Sequence, residues 1–245
     1  RIVYGLHDAI QIAKKNPEKE YVFLAVGFET TTPATAVEVM SNPPENFSFL
    51  VSHRVIPPAM ELLLGIKELQ IDGFIAAGHV CTIAGMKPYE IFPKKYGMPT
   101  VAAGFEPLDI LFAVDMLLKQ LKDGKARLEN EYSRVVSWEG NVKAQELVEQ
   151  VFDVVDGHWR GIGKIPKSGL LLKKEFEKYD ARKKYDLHIT ESKDILKGCL
   201  CHLVMVGKIR PSECPSYLTD CNPESPKGAC MVSNEGTCRI WAKHK

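Results

Sequence analysis

Six of the chain's seven cysteines fall within the forty residues from Cys199 to Cys238. The intervals between them are one, twelve, six, eight and seven residues, broken by glycines and prolines such as Gly207, Pro211, Pro223 and Gly228. A stretch with so few apolar runs needs cross-links to supply part of its stability. Three kinds are open. A secreted disulfide scaffold would pair all six, but no export signal opens the chain and the remainder reads as cytoplasmic. Structural zinc favours paired C-x₂₋₄-C knuckles, and this stretch has none. An iron–sulfur cluster takes four thiolates brought round by turns with freer spacing, which suits the intervals better and leaves two thiols over. In Cys199-Leu200-Cys201 an extended backbone would point the two side chains to opposite sides. One would then face a cluster, and the other would be left for a distant redox partner.

Everything before Cys199 has the pattern of an α/β protein. Tyr21–Phe28, Phe47–Ser52, Gly73–Ala77 and Thr100–Gly104 are apolar runs of strand length. Each is followed by a helical pattern: residues 32–40, Pro58–Ile66, a turn at Gly78-His79, and Leu108–Leu121. Residues 7–15 predict a helix ahead of the first strand, stopped by Asn16-Pro17. Four strand-then-helix units predict a parallel sheet with helices on both faces, and a strand such as YVFLAVGF reads as buried on both sides. Residues 141–155 and the charged run LLLKKEFEKYDARKKYDL predict two further helices. The expected organisation is a doubly wound, Rossmann-like region over 1–160 and a small Cys-rich domain over 161–245. With 45% hydrophobic and 26% charged residues the chain has a full core. A formal charge of +1 gives no basis for a nucleic-acid surface, and no run reaches the ~20 apolar residues of a membrane span.

In open parallel sheets, sites form outside the carboxyl ends of the strands. Those ends carry Glu29, His53 with Arg54, His79 with Thr82, and Glu106. Two histidines and two carboxylates at one rim could bind a metal or move protons. The plainer reading makes Glu29 and Glu106 helix caps and has the histidines bonding loop carbonyls. The two glutamates share a pattern, strand then Gly-Phe-Glu then helix, that places a carboxylate near a helix N-terminus. There is no phosphate-binding glycine loop. Cys81, alone in this region, reads as a small buried hydrophobe.

The runs GFETTTPATA, GHVCTIAG, AGFEPLDIL, NEYSRVVSWEGN, WRGIGKIPKSGL and PKGACMVSNEGTC resemble the hydrogenase maturation factor HypD family, and the likeness runs through nearly the whole chain. The resemblance implies a scaffold for assembling the Fe(CN)₂CO unit of [NiFe]-hydrogenases, carrying a [4Fe–4S] cluster. It further implies a complex with the chaperone HypC and cyanide delivered through HypE and HypF. Residue by residue, it implies Cys199, Cys214, Cys221 and Cys238 as cluster ligands and Cys201 with Cys230 as a nearby thiol pair, similar to ferredoxin:thioredoxin reductase. Glu29, His79 and Glu106 lie in family motifs around a central cleft. The family also has an N-terminal region with Cys-Gly-Thr-His and Gly-Pro-Gly-Cys-Pro-Val-Cys runs that have no counterpart here. The expectation is therefore that this chain corresponds to the back two-thirds of such a protein and does not hold the iron unit alone. Cys81 stands where the family is expected to carry serine. The competing expectation is a metal-dependent α/β enzyme using His79, His53 and Glu29, with the late cysteines holding structural zinc.

Overall fold

The computed structural model describes residues 1–67, 69–160, 162–188 and 198–244. Helix α1 (Leu6–Lys15) leads into strand β1 (Tyr21–Gly27), helix α2 (Thr32–Met40), strand β2 (Phe47–His53) and helix α3 (Ile56–Leu64). Both α2 and α3 carry proline in the first turn, where its fixed φ suits a helix start and its missing N–H loses no bond. Strands β1 and β2 pair in parallel, from Tyr21 opposite Phe47 to Gly27 opposite His53. Strand β3 (Phe74–Ala77), helices α4 (Gly78–Ala84) and α5 (Ile91–Tyr96), strand β4 (Thr100–Ala103), helix α6 (Pro107–Asp123) and strand β5 (Leu128–Asn130) follow. Here the strands form a second parallel sheet in the order β3-β4-β5.

Helix α7 (Val142–Val151), capped by the Asn141 side chain accepting from the Ala144 N–H, runs directly into strand β6 (Phe152–Trp159). Strand β7 (Gly163–Leu172) returns antiparallel to it. The chain closes with short helices α8 (Ala181–Lys184), α9 (Cys201–Met205), α10 (Ala229–Val232) and α11 (Thr237–Lys243).

The parallel strands and flanking helices expected from the sequence are present, but not as one doubly wound sheet. Among the described residues the parallel strands divide into a pair and a triplet. The reason lies at β2, whose other side is engaged by the β6–β7 region. The Val55 N–H donates to the Ser168 carbonyl at 3.0 Å, Arg54 bridges to Gly169, and Phe49 bridges to Asp180. The charged run does not form one long helix either. Leu170 pairs with Val154 and is buried, so Leu170–Leu172 finish β7; a tight turn over Lys174–Tyr179 and then α8 take up the rest. The helix expected to reach residue 155 ends at Val151 for the same reason. The expected division at 160/161 falls on Gly161, outside the described residues as is that part of the WRGIGKIPKSGL run; the strands on either side of it pair with each other.

The first core gathers Ile10, Val39, Phe47, Phe49, Val51, Val151 and Phe152 between the first sheet, its helices and the hairpin. Phe47 and Phe49 meet edge to face at 5.2 Å and are essentially unexposed, each burial contributing about 2–3 kcal/mol. A second core under β3 and β4 holds Phe74, Met86, Tyr89 and Phe92. Strand β1 is not covered on both faces as its apolar run predicts: Val22, Leu24 and Val26 are 49%, 58% and 60% exposed. Helix α6 likewise turns Leu108, Leu111, Phe112 and Leu118 outward.

Candidate functional site

The six late cysteines converge. Cys199, Cys201, Cys221, Cys230 and Cys238 are buried with Val204, Tyr217 and Met231, and Cys214 packs against them, half-buried. Cys199, Cys201, Cys214, Cys221 and Cys238 line one void of about 10 Å³, together with Gly228. Gly228 is needed there: a Cβ at this position would stand 2.3 Å from the Cys199 Sγ and 2.9 Å from the Cys201 Sγ. The Cys199 and Cys201 side chains therefore do not diverge. Leu200 is not extended (φ −109°, ψ 23°) and caps α9, so both thiols turn toward the same interior. The sequence-based expectation of opposite sides is corrected by this helix start.

The thiols interact unequally. Hydrogen bonding with Cys230, aided by Cys199 and by the backbone at Cys230 and Ala229, draws the Cys201 thiol below its ordinary value. Cys230, donating in these contacts, is driven upward, and burial pushes Cys199 up to about 11. Cys201 is thus the more acidic member of its pair. The Lys227 N–H also points at the Cys221 sulfur, 3.4 Å away.

These residues fit a thiolate-ligated cluster by donor set and by the cradle that Gly228 leaves open. The void itself is smaller than a cluster, so the fit rests on the donor set and on the bare backbone of Gly228 beside the Cys199 and Cys201 sulfurs. Among the described residues no group of three or more His, Cys, Asp or Glu side chains is arranged for a single ion.

The strand-end residues separate. His53 is fully buried, shares a 3.0 Å hydrogen bond between Nε2 and the Thr35 hydroxyl, and meets Phe152 edge to face. Burial lowers its pKa to about 4, so it is a neutral core histidine. His79 is exposed at the start of α4 and lies against Phe105 and Tyr132, with ring centroids 4.6 and 6.2 Å away. Glu106 is exposed at the N-cap of α6 and makes no side-chain capping bond. The capping carboxylate of that helix's first turn is Asp109, buried and held below its usual range by hydrogen bonds from Arg134 at 2.6 and 2.8 Å.

Glu29 behaves differently. Its Oε1 accepts from the Ile56 N–H at 2.9 Å, so it caps α3 rather than the helix that follows it in sequence. Its Oε2 is buried without a hydrogen-bond partner, and desolvation raises the carboxyl pKa to about 6. Glu29 is also among the residues lining a cavity of about 370 Å³ where α2, α3, α4, α7 and the β6–β7 hairpin meet, though its Oε2 is sealed from it. Cys81 is unexposed, as its apolar setting predicts, and its thiol is pushed up to about 11 by burial.

Sequence reasoning missed Gly228, Asp109 and Arg134. Gly228 was legible only as a glycine two residues before a cysteine. Asp109 was legible as an acidic residue in a helix's first turn. Arg134 lies 25 residues from its partner and gave no local signal.

Comparison with known proteins converges on one family. The HypD family model, described as the hydrogenase formation hypA family, matches residues 1–245. A hydrogenase expression/formation protein of Methanocaldococcus jannaschii is 45% identical over all of this chain and 69% of its own length. The hydrogenase maturation factor HypD of Cupriavidus necator is 42% identical over 97% of this chain and 65% of its own. HypD of Azotobacter vinelandii is 39% identical over 98% and 66%. The chain therefore spans about two thirds of the length of these relatives.

Proposed function

The chain belongs to the HypD family of hydrogenase-formation proteins, and from that premise we propose that it is the redox-bearing part of a scaffold that assembles the Fe(CN)₂CO unit of [NiFe]-hydrogenases. The observation that carries this reading is the convergence of six cysteines in one cluster, five of them buried, with Gly228 against the sulfurs of Cys199 and Cys201. Four of them, Cys199, Cys214, Cys221 and Cys238, are the ligands we assign to a [4Fe–4S] cluster, which supplies one-electron transfer when bound. Cys201 and Cys230 are the remaining pair, with their side chains in hydrogen-bonding contact. Closing a disulfide between them releases two electrons and two protons; reopening it takes both back. The iron unit itself is cargo. We assign HypC as docking partner, and cyanide arriving through HypE and HypF, to proteins of the relatives' full length, about two thirds of which this chain spans. We assign His79 and Glu106, both exposed at the carboxyl ends of β3 and β4, to the handling of that cargo rather than to the cluster. The rival metal-enzyme reading lacks a convergence of its own, because His53 is sealed in the core away from solvent.

Iron, sulfide and zinc content with a visible spectrum, on anaerobically purified protein, tests this. The expected result is four irons per chain and a broad absorbance near ~400 nm. Cys214→Ser should lose both, while Cys201→Ser and Cys230→Ser should keep the iron and lose a two-electron thiol titration. Zinc without iron would overturn the proposal.

A further inference from the structure

Of the two histidines at the strand ends only His79 faces solvent, and no hydrogen bond holds its ring. Among the described residues neither ring nitrogen has a partner; the side-chain bond made to this residue is at its carbonyl, which accepts from the Thr82 hydroxyl at 2.6 Å. An exposed, unbonded side chain ordinarily moves among several rotamers. Two other rings restrict this one. Phe105 lies against it at 4.6 Å between centroids and 33° between planes, and Tyr132 at 6.2 Å and 51°. Both are separations at which aromatic pairs attract. Phe105 is itself 62% exposed, so burial in the core does not fix where its ring lies.

Tyr132 is held from behind. Its ring fills a slot left by two glycines at neighbouring strand ends: a Cβ on Gly78 would stand 2.7 Å from its Cδ1, and one on Gly104 would stand 2.8 Å from its Cε2. The Arg134 guanidinium lies 4.4 Å from the ring centroid, close enough for a cation–π attraction. That guanidinium is tied in turn to both carboxylate oxygens of Asp109, at 2.8 and 2.6 Å, and Asp109 is buried in the first turn of α6. Contacts from Asp109 through Arg134 and Tyr132 to His79 therefore join α6, the segment after β5 and the start of α4.

We propose that Phe105 and Tyr132 are positioning residues for His79, holding its imidazole by ring contacts so that both nitrogens stay free. A hydrogen bond would orient the ring as well, but would occupy one of its two nitrogens. Ring contacts leave one nitrogen for an iron ion and the other for a proton or a water. Preset in this way, the side chain has little rotamer freedom left to lose when it binds. The role rests on the assignment of His79 to the iron unit; the ring geometry is independent of the thiol cluster.

Carbon-13 relaxation of the histidine ring C–H groups, on the purified chain with labelled histidine, reads the mobility of each imidazole. The expected order parameter for His79 is about 0.8, against under about 0.6 for His158 and His244, which are exposed without a ring contact. Phe105→Leu and Tyr132→Leu should each bring His79 below about 0.6, while Tyr132→Phe keeps it near the wild-type value. Urea midpoints check that the variants fold, and Phe105→Leu, at an exposed position, should leave the midpoint unchanged. Co²⁺, a paramagnetic ion that imidazole ligates, is then added in excess of the chain's seven thiols. Broadening of the His79 signals should need about threefold more Co²⁺ in the two leucine variants than in the wild type. A wild-type His79 ring as mobile as that of His244, a ring still rigid in both leucine variants, or equal Co²⁺ affinity in all forms would overturn the positioning. A rigid ring, loosened by the leucine variants but never broadened by Co²⁺, would instead remove His79 from iron handling and leave Phe105 and Tyr132 as the groups that hold it.

Discussion

Replacing His53 by glutamine should make stability fall with rising pH between about pH 4.5 and 6, where the wild type is nearly level. The His53 imidazole is sealed in the core with a pKa lowered from 6.5 to about 4 by burial. An unfolded chain takes up that proton from about pH 6.5 downward, while the folded one stays neutral until about pH 4. The unfolded state thus binds more protons in this window, so stability rises with pH across it. At about 1.4 kcal/mol per unit the gap corresponds to about 3 kcal/mol, fully present above pH 6.5 and lost as pH falls through about 4. Glu29 works in the opposite sense. Its pKa is raised from 4.5 to about 6, so the folded state holds the extra proton, and about 2 kcal/mol is lost in all as pH rises from well below 4.5 to well above 6, a little over half of it inside that interval. In the wild type the two slopes nearly cancel between pH 4.5 and 6. In His53→Gln, where the amide can keep a bond to the Thr35 hydroxyl, the Glu29 slope is no longer offset, and stability should fall by about 1 kcal/mol as pH rises from 4.5 to 6. Urea unfolding at four or five pH values, followed by tryptophan fluorescence, measures this directly. Parallel wild-type and variant profiles would refute the reasoning.

Two further outcomes follow from packing. Phe49→Ala removes an unexposed ring from the first core and should cost about 3–5 kcal/mol in urea unfolding, a loss under about 1 kcal/mol contradicting the packing described. Gly228→Ala places a methyl against the sulfurs of Cys199 and Cys201, and should reduce the iron retained after reconstitution several-fold, with the unfolding of the β1–β2 core unchanged; full iron content in this variant would mean that the thiols do not close around Gly228 when loaded.

The alternation of strands and helices was legible because each strand is a short apolar run bounded by turn residues, and β1, β2, β3 and β4 lie within a residue or two of where those runs predict them. How the strands group was not. Nothing local in Leu128–Asn130 marks a strand, since its three residues gain their place by pairing with Thr100–Ala102. Nor does local pattern say that β7 would compete for the flank of β2, because that contact joins residues more than a hundred positions apart. The same limit applied at the candidate sites. The cysteine cluster announced itself through residue type and crowding, whereas the assumption of an extended Cys199-Leu200-Cys201 failed because a helix begins one residue later. Glu29 was found by its place at a strand end, but its role as cap of α3 depends on a helix 27 residues downstream.

The open side of β1 bears on how the chain behaves in a crowded solution. A strand at a sheet edge offers a row of unpaired backbone donors and acceptors, and here Val22, Leu24 and Val26 add an apolar face to that row. No charged residue or proline interrupts Tyr21–Gly27, so the usual gatekeepers against strand-on-strand association are missing from it. Like edges can template one another, which makes β1 the segment of the described residues best suited to pair copies of this chain.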